Sequence, residues 1–369
     1  MPRDSSIPTD KSIFNTRVLH LRIKDKHAAV LRDRAMWTNQ VWNYCNDLQQ
    51  QVWRREKRFL SGYDFAPFTK GAGKEGIPLH SQTIQAISEE YATRRKQFKK
   101  VKLRWRISRG SKRSLGWIPF KASALTYRNG QLWLSGINTP LSLWDSYGLS
   151  KYKLGAGNIA EDSRGRWYIN ITVKVAKTAP TVGKGELGID LGLKDFAGFS
   201  DEAIENVEAQ QFYRDLEPKL STAQRANKKR QVKKIHARIA NRRKDFHHQL
   251  STSLVRRYGA IFVGNVNASA LAKTRQAKSV LDAGWSQFRT YLQYKCDDAG
   301  GWFAEVNEAY STQDCSACNT RSGPKGLKEL GVREWVCSHC GTEHQRDRNA
   351  AKNILRRGRA TLAVGIPAL

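Results

Sequence analysis

Residues 187–193 read Leu-Gly-Ile-Asp-Leu-Gly-Leu, an apolar run with one carboxylate, Asp190, at its centre. The run has the composition of a buried strand, and beyond it apolar strands alternate with helical patterns, which predicts an α/β domain. An ionised carboxylate on a buried strand is costly unless a cation or a donor compensates it. Asp190 is therefore the first candidate site residue.

A second carboxylate, Asp347, lies in the run Arg-Asp-Arg-Asn-Ala-Ala-Lys-Asn-Ile-Leu at 346–355. The apolar positions Ala350, Ala351, Ile354 and Leu355 recur at helical spacing, so we predict a helix that begins near Asp347. A helix N-cap is the ordinary role of an aspartate at such a place. Asp347 is thus a candidate with a structural alternative.

Two C-x2-C pairs precede Asp347: Cys315 with Cys318, and Cys337 with Cys340. This spacing is typical of a tetrahedral Zn²⁺ site of four thiolates, which leaves no open coordination position and is therefore structural. His339 and His344 are nearby alternative ligands, but the four cysteines already complete the set. So few cysteines in a chain of this length also indicate a reducing compartment.

The first half of the chain shows a different pattern. Residues 17–23 alternate like a strand, residues 24–60 and 81–98 have helical spacing, and strand patterns dominate from 102 to 175, starting with Leu-Arg-Trp-Arg-Ile at 103–107. Asn129-Gly130 predicts a two-residue hairpin turn, since both turn residues must tolerate positive φ. We expect a small β-barrel, assembled from distant segments, that carries a helical insert.

The 369 residues include 64 Lys and Arg but only 33 Asp and Glu, a net charge of +31. Such an excess indicates a polyanionic partner. Because the chain has neither a run of about 18 apolar residues nor an N-terminal signal pattern, we predict that the partner is nucleic acid and not a membrane. The expected location is the cytoplasm of a prokaryote, near the nucleoid.

Two basic runs carry much of this charge: residues 94–113 and 219–244 each hold 11 basic side chains and no acidic one. Solvated helix faces usually mix the two signs, whereas runs of one sign repel themselves unless phosphates neutralise them. We predict phosphate contacts from both runs. The residues predicted to make these contacts are Lys99, Lys100, Lys102, Arg104, Arg106, Lys228, Lys229, Arg230, Lys233, Lys234, Arg242 and Arg243.

The order of these motifs resembles the TnpB family of transposon-encoded, RNA-guided nucleases, relatives of the type V CRISPR effectors. The resemblance covers nearly the whole chain: the Asp190 strand, residues 242–266, residues 284–295, the cysteine pairs and the Asp347 helix. It implies a guide RNA transcribed from the transposon end and cleavage of double-stranded DNA beside a short motif.

The resemblance also implies the domains. A β-barrel wedge domain would comprise 1–24 and 102–178, with a helical recognition insert at 25–101. An α/β nuclease domain of RNase H fold, RuvC-like, would comprise 183–310 and 344–369, with the zinc ribbon at 311–343. Asp190 and Asp347 would be the first and last catalytic carboxylates, and carboxylates of such a site hold two Mg²⁺ ions about 4 Å apart.

The middle carboxylate departs from the family pattern. Most members carry a glutamate at the end of an apolar strand, where this chain has Gly264. Some members, and the Fanzor relatives, lack that glutamate and carry one shortly before the zinc ribbon in an Asn-Glu-x-x-Thr-Ser context, which residues 307–312 match except for Ser-Thr. We therefore predict Glu308 as the relocated ligand on a strand-like segment, 302–314. Glu305 and the absence of any replacement are the alternatives, and a regular strand would turn Glu305 to the opposite face.

Three functions stay open at this point. The first is an RNA-guided DNA endonuclease. The second is a nuclease-dead RNA-guided repressor, which Gly264 favours. The third is a strand-transfer transposase, which the lack of a separate sequence-specific DNA-binding module disfavours.

Overall fold

The computed structural model describes residues 14–176, 183–326, 329 and 331–363. The chain divides into two compact units, 1–176 and 177–369. The first unit contains β1 (Phe14–Ile23), α1 (Ala28–Glu56), α2 (Ala66–Thr69), α3 (Ser81–Phe98), β2 (Trp117–Phe120), β3 (Leu125–Arg128), β4 (Gln131–Leu134), β5 (Leu143–Trp144), β6 (Leu154–Glu161) and β7 (Trp167–Ala176).

The second unit contains β8 (Gly185–Leu191), β9 (Asp195–Phe199), β10 (Val207–Glu208), α4 (Glu217–Arg225), α5 (Lys229–Arg257), β11 (Tyr258–Gly264), α6 (Ala268–Leu271), α7 (Ala277–Ala283), α8 (Trp285–Ala299), β12 (Trp302–Val306), β13 (Glu334–Val336), β14 (Glu343–Gln345) and α9 (Arg346–Ala363). In the part of the chain that the structure covers, no helix is long and apolar enough to span a bilayer.

The first unit is built on a five-stranded sheet in the order β2-β6-β7-β1-β5. Strands β1 and β7 pair antiparallel from Phe14 opposite Ala176 to Arg22 opposite Tyr168, so the two ends of this unit meet in one sheet. The hairpin at Asn129-Gly130 is confirmed: both residues have positive φ, and Arg128 lies opposite Gln131. The strand order is linear, so the closed barrel stays a prediction.

The helical pattern at 81–98 is confirmed residue for residue by α3. The pattern predicted over 24–60 is shorter in the structure, because a 3₁₀ turn precedes α1 and Lys57, with a φ of 53°, ends it. Residues 103–107, predicted as a strand, belong to no helix or strand in the structure.

Side chains of α1 explain why this segment joins no sheet. Asn46 donates to the Leu103 carbonyl at 2.9 Å and accepts from the Leu103 amide at 3.0 Å. Asn43 makes the same pair of bonds with Arg106, at 2.9 and 2.8 Å. Because two asparagine amides satisfy the backbone groups that a neighbouring strand would otherwise pair, residues 103–107 dock on a helix.

The Asn46→Ala substitution should lower the stability of the protein by about 2 kcal/mol or more. Asn46 is fully buried and also accepts from the Tyr91 hydroxyl, so its loss leaves several buried polar groups unpaired. Gln51→Ala, which removes an exposed amide of the same helix, is the matched control and should change stability little. Urea unfolding checks this; equal midpoints for both variants would contradict it.

The second unit is built on another five-stranded sheet, in the order β10-β9-β8-β11-β12. Strands β8, β11 and β12 are parallel, whereas β9 and β10 run antiparallel to their neighbours. Helix α9 packs against β8, β9 and β11. A Cβ on Gly188 would overlap the Ala351 carbonyl of α9, so this glycine in β8 permits the close approach of the helix.

The helix predicted near Asp347 is confirmed, because α9 begins at Arg346. The strand-like segment predicted over 302–314 is shorter, since β12 ends at Val306. Glu308 therefore lies beyond the strand, in the loop that leads to the first cysteine pair, and strand alternation does not decide its direction.

Candidate active site and metal centre

Two of the predicted carboxylates lie over neighbouring strands of the second sheet. Asp190 on β8 is paired with Gly198 on β9. A Cβ added to Gly198 would lie 3.1 Å from the Cβ of Asp347, so the first turn of α9 places Asp347 directly over the partner of Asp190. Residues separated by more than 150 positions thus share one small region.

Glu308 occupies the space above Gly264. In the parallel pairing of β8 with β11, Val263 lies beside Ile189, so Gly264 follows next to Asp190. A Cβ on Gly264 would overlap the carboxylate of Glu308, whose own Cβ lies 3.2 Å from that position. The glycine leaves a gap, and the glutamate side chain that enters it comes from the following loop.

Asn265 fixes the start of this loop. Its backbone amide donates to the Val306 carbonyl at 2.9 Å, and its side-chain oxygen accepts from the Glu308 amide at 3.2 Å. Oε2 of Glu308 is buried and has no hydrogen-bond partner among the described residues. A buried carboxylate oxygen without a donor is a free ligand for a cation.

Glu305 points elsewhere. Its carboxylate is 39% exposed and accepts from Arg289 at 2.9 Å, in an ion pair between β12 and α8. The side chain is committed to a surface contact, so the structure separates Glu305 from the cluster of Asp190, Glu308 and Asp347.

The pKa values of all three carboxyl groups are raised. Burial raises the pKa of Asp190 well above its usual range, and the charges of Glu308 and Asp347 raise it further. Burial also raises the pKa of Glu308 and that of Asp347. Ionisation of all three half-buried carboxylates requires a compensating positive charge, and a hard divalent cation supplies such a charge through oxygen ligands.

Arginines supply part of the compensation. Arg333 donates to both oxygens of Asp347, at 3.1 and 3.0 Å, and opposes the rise of its pKa. Arg346 is buried, and its guanidinium donates to the Glu329 carbonyl, while that of Arg348 reaches the Ile204 carbonyl at 3.5 Å. The charge of Arg346 also lowers the pKa of Asp190, so Arg346 partly balances the negative charge of that carboxylate.

The four cysteines come together as the spacing predicts. The sulfurs of Cys315, Cys318, Cys337 and Cys340 all lie within 4.8 Å of one another, a set that could hold a metal ion. The Ser322 hydroxyl donates to Cys337 at 3.1 Å and, together with hydrogen bonds from the backbone of Cys340 and His339, lowers the pKa of that thiol to about 5, which favours the thiolate that metals bind. His344 lies 3.0 Å from the Cys315 sulfur as a hydrogen-bond partner, and His339 is exposed.

Two asparagines of α9 join this cysteine cluster to the carboxylates. Asn349 accepts from the Ser316 amide at 2.8 Å and donates to the Asp314 carbonyl at 2.9 Å. Asn353 donates to the Ser311 carbonyl at 2.9 Å and also to Asp314. The sequence analysis did not predict the roles of Asn349 and Asn353, nor those of Arg333 and Asn265. The one sequence pattern that could have indicated the first two is a pair of asparagines one helical turn apart on the buried face of the helix.

Ten of the twelve basic residues predicted to contact phosphate are exposed. Arg106 and Arg243 differ, since their guanidinium groups bind the protein itself. Arg106 donates to Asn39 at 2.6 Å and to the Leu115 carbonyl at 2.9 Å, and burial lowers its pKa. Arg243 donates to the Leu281 carbonyl at 2.8 Å. The structure therefore gives these two arginines internal, structural contacts.

Two families match the second unit and the strand before it. Residues 170–275 match the family described as "Probable transposase", and residues 285–354 match the family described as "Cas12f1-like, TNB domain". The second match contains the cysteine cluster, Glu308 and Asp347.

Proteins of similar sequence are named as RNA-guided DNA endonucleases or as TnpB-like proteins. The chain is 29% identical over 360 residues to a putative RNA-guided DNA endonuclease of Streptomyces pristinaespiralis, an alignment that covers 92% of this chain and 88% of that protein. It is 27% identical over 224 residues to TnpB-like protein L79 of Acanthamoeba polyphaga mimivirus, covering 53% of this chain and 42% of that one.

A solved structure shares the fold. The protein in the cryo-EM structure of a Cas12f1–sgRNA–target DNA complex superimposes with a TM-score of 0.60 at 11% sequence identity, over 92% of this chain and 98% of that one. Cas12f1 is a multidomain effector, and the likeness at this identity concerns the fold alone. Motifs, family matches and relatives agree in what they indicate, and the chain is similar to RNA-guided DNA endonucleases and TnpB-like proteins.

Proposed function

We propose that this protein is an RNA-guided DNA endonuclease of a transposon that cuts target DNA beside a short motif. The observation that carries the proposal is the position of Glu308, whose carboxylate fills the gap over Gly264 next to Asp190 and Asp347. A protein that had lost its nuclease would have no need to keep a half-buried carboxylate there with one oxygen unpartnered. The names of the relatives support the same activity.

Asp190, Glu308 and Asp347 would hold two Mg²⁺ ions in this proposal. When bound, the ions supply an activated water and stabilise the leaving oxygen in phosphodiester hydrolysis. These residues suit Mg²⁺ because Oε2 of Glu308 has no hydrogen-bond partner among the described residues. The raised pKa of Asp190 shows that its ionised form is unfavourable without a nearby cation. Arg333 neutralises Asp347 by donating to both of its carboxylate oxygens.

The predicted domains fit this activity. The sheet that joins the two ends of the first unit would be the wedge (1–24 and 102–178), and α1 and α3 lie within the predicted insert at 25–101. The second unit would be the RuvC-like nuclease (183–310 and 344–369) with a zinc ribbon at 311–343. In that ribbon, Zn²⁺ would be held by the four cysteines and would have a structural role.

Guide RNA from the transposon end and the RNA–DNA heteroduplex would lie along the exposed basic residues. Their contacts would be with the phosphate backbone, because base pairing reads the target sequence. Arg106 and Arg243 are left out of this surface because they are engaged internally.

The function is tested by expressing the protein with its flanking transposon end and sequencing the RNA that co-purifies. A discrete guide should be recovered, and the complex should cut matched double-stranded DNA in Mg²⁺. A complex that binds matched DNA but never cuts it would instead favour a repressor. A protein that recovers no discrete RNA would remove both functions.

Mg²⁺ should stabilise the protein through Asp190. A carboxyl group whose pKa is raised in the folded state contributes stability at low pH, which is lost as the pH rises through the folded-state pKa. The melting temperature of the cation-free protein should therefore fall as the pH rises from about 4, the ordinary pKa of an aspartate, and Mg²⁺ should reverse this fall. In Asp190→Asn, the pH dependence and the Mg²⁺ response should both shrink. A thermal melt of unchanged Mg²⁺ sensitivity in this variant would argue against the site.

Charge reversal of Lys228, Lys229 and Arg230 to glutamate should weaken guide-RNA binding and flatten its dependence on salt, since about one counterion is released for each phosphate contact. Because these side chains are exposed at the start of α5, the melting temperature of the variant should equal that of the wild type. Binding titrations between low and moderate salt give the slope. An unchanged slope would identify this run as an ordinary solvated helix start.

A further inference from the structure

Glu308 lies in a loop, unlike the other two carboxylates of the proposed metal site. Asp190 lies on β8 and Asp347 on the first turn of α9, whereas Glu308 follows the end of β12. A site of this kind must be held within about 0.5 Å of its working geometry, and loops meet this demand less easily than helices or strands. Oε2 of Glu308 has no hydrogen-bond partner among the described residues, so the position of this oxygen depends on the backbone that carries it.

Arg357 of α9 binds the backbone on both sides of Glu308. One guanidinium nitrogen, Nη1, donates to the Asn307 carbonyl and to the Ala309 carbonyl, each at 2.8 Å. The other, Nη2, donates to the Asp314 carboxylate at 3.0 Å, which fixes the plane of the guanidinium group. The carbonyls of the residues before and after Glu308 are thus held at a single nitrogen, and this limits the rotation of the backbone at Glu308.

The loop beyond Glu308 is held in an unusual conformation. Tyr310 has a φ of 62°, a region that residues other than glycine rarely occupy. Such a residue keeps this conformation only where the surrounding structure holds the chain. The Arg321 guanidinium lies over the Tyr310 ring, 3.6 Å from its centroid, and also pairs with Asp314 at 2.9 Å. Two arginines therefore hold the loop, and Arg357 is the one that binds the neighbours of Glu308.

The helix that carries Arg357 also carries Asp347. At about 1.5 Å per residue, the two lie about 15 Å apart along the axis of α9. Between them, Ile354 approaches the gap that Glu308 fills, since its Cδ1 lies 3.1 Å from a Cβ added to Gly264. One helix thus supplies one carboxylate of the site and the contact that holds the loop of another.

We propose that Arg357 is a positioning residue of the metal site, which holds Glu308 over Gly264 so that a glutamate from a loop replaces one from β11. The inference rests on the proposed function. Without the bonds of Arg357, Glu308 keeps its charge, but the metal itself must order the loop, which lowers the affinity of the site. Loss of a residue that orients a metal ligand typically costs about 10–100-fold in metal affinity. A guanidinium that only attached α9 to the loop would affect stability and leave this affinity unchanged.

Arg357→Met tests the inference on the full chain without guide, where no RNA phosphate competes for the metal. Methionine keeps an apolar stem but has no donor. Asp314 retains its ion pair with Arg321, and water can reach the two exposed residues that flank Glu308, so the variant should fold. Its affinity for Mn²⁺, measured from the electron paramagnetic resonance signal of the free ion, should fall by about tenfold or more.

Two comparisons separate positioning from a general structural role. Arg359→Met removes an exposed ion pair between the same helix and Glu186 of β8, and this matched control should keep the wild-type affinity. Arg357→Lys keeps the charge and a donor, so it should recover part of the affinity and carries the test if Arg357→Met fails to fold. In Glu308→Gln, the further change Arg357→Met should weaken Mn²⁺ binding no more, because Arg357 acts through Glu308.

Guided cleavage gives a second readout. Arg357→Met should need about tenfold more Mg²⁺ for half-maximal cutting and recover at saturating Mg²⁺, whereas Glu308→Gln should not recover. Unchanged Mn²⁺ affinity in a folded Arg357→Met, or a further loss of affinity when it is added to Glu308→Gln, would overturn the inference and leave the proposed function intact. A wild type that binds Mn²⁺ no better than Glu308→Gln would remove the proposed metal site, and the inference with it.

Discussion

Glu308→Gln is expected to reduce cleavage of a guided DNA target by about 10³-fold, because a metal-binding carboxylate supplies several kcal/mol of transition-state stabilisation. Glutamine keeps the size and the hydrogen bonding of the side chain above Gly264 but removes its charge. Guide-RNA binding and target binding should persist, since neither requires the carboxylate. Gel assays of binding and of cleavage on the same preparation separate the two effects.

Glu305→Gln is the matched control for this experiment. It removes the charge of an acid three residues away whose partner is Arg289, and it should leave cleavage near the wild-type rate. Combining Glu308→Gln with Asp190→Ala should be little worse than either alone, because residues that hold one metal centre act as a unit. Full activity in Glu308→Gln with loss in Glu305→Gln would mean that the other glutamate is the ligand.

Cys337→Ser is expected to have the largest effect on stability. Structural zinc contributes about 10–16 kcal/mol to small zinc domains, so loss of one thiolate should release the metal and unfold the ribbon. The hydrogen bonds that join Asn349 to Ser316 and Asn353 to Ser311 would be lost with it, as would those of Arg333 to Asp347. Cleavage should then fail although Asp347 itself is intact.

Metal analysis and thermal melts check this prediction. The wild type should contain about one Zn²⁺ per chain, as a four-cysteine site binds a single ion, and Cys337→Ser should contain almost none. Ser338→Ala, which alters the exposed residue between the ligands, should behave as the wild type. A wild-type protein free of zinc that melts like the variant would exclude a structural metal.

The sequence carried the clearest information where one local pattern decides the outcome. The spacing of the cysteines, the hairpin at Asn129-Gly130 and the helix α3 are all local, and the structure agrees with them. The pairing of Gly264 with Glu308 could be inferred only through the family resemblance, since no local pattern links a missing side chain to one 44 positions later.

Other features depend on tertiary contacts that a pattern does not encode. The segment 103–107 has the alternation of a strand, yet asparagines of α1 take the place of a neighbouring strand. Strand alternation was likewise the wrong reason for separating Glu305 from Glu308, because β12 ends before Glu308. Arg106 belongs to a basic run by sequence, but contacts within the first unit occupy its guanidinium.

The central claim is that Glu308 completes a two-metal site with Asp190 and Asp347. The most direct test is anomalous diffraction from crystals of the guided complex grown with Mn²⁺, which replaces Mg²⁺ at oxygen sites. Two peaks bounded by carboxylate oxygens of Asp190, Glu308 and Asp347 are predicted, and Glu308→Gln should lose at least one of them. Manganese peaks that lie away from Glu308, or an identical pair of peaks in Glu308→Gln, would contradict the claim.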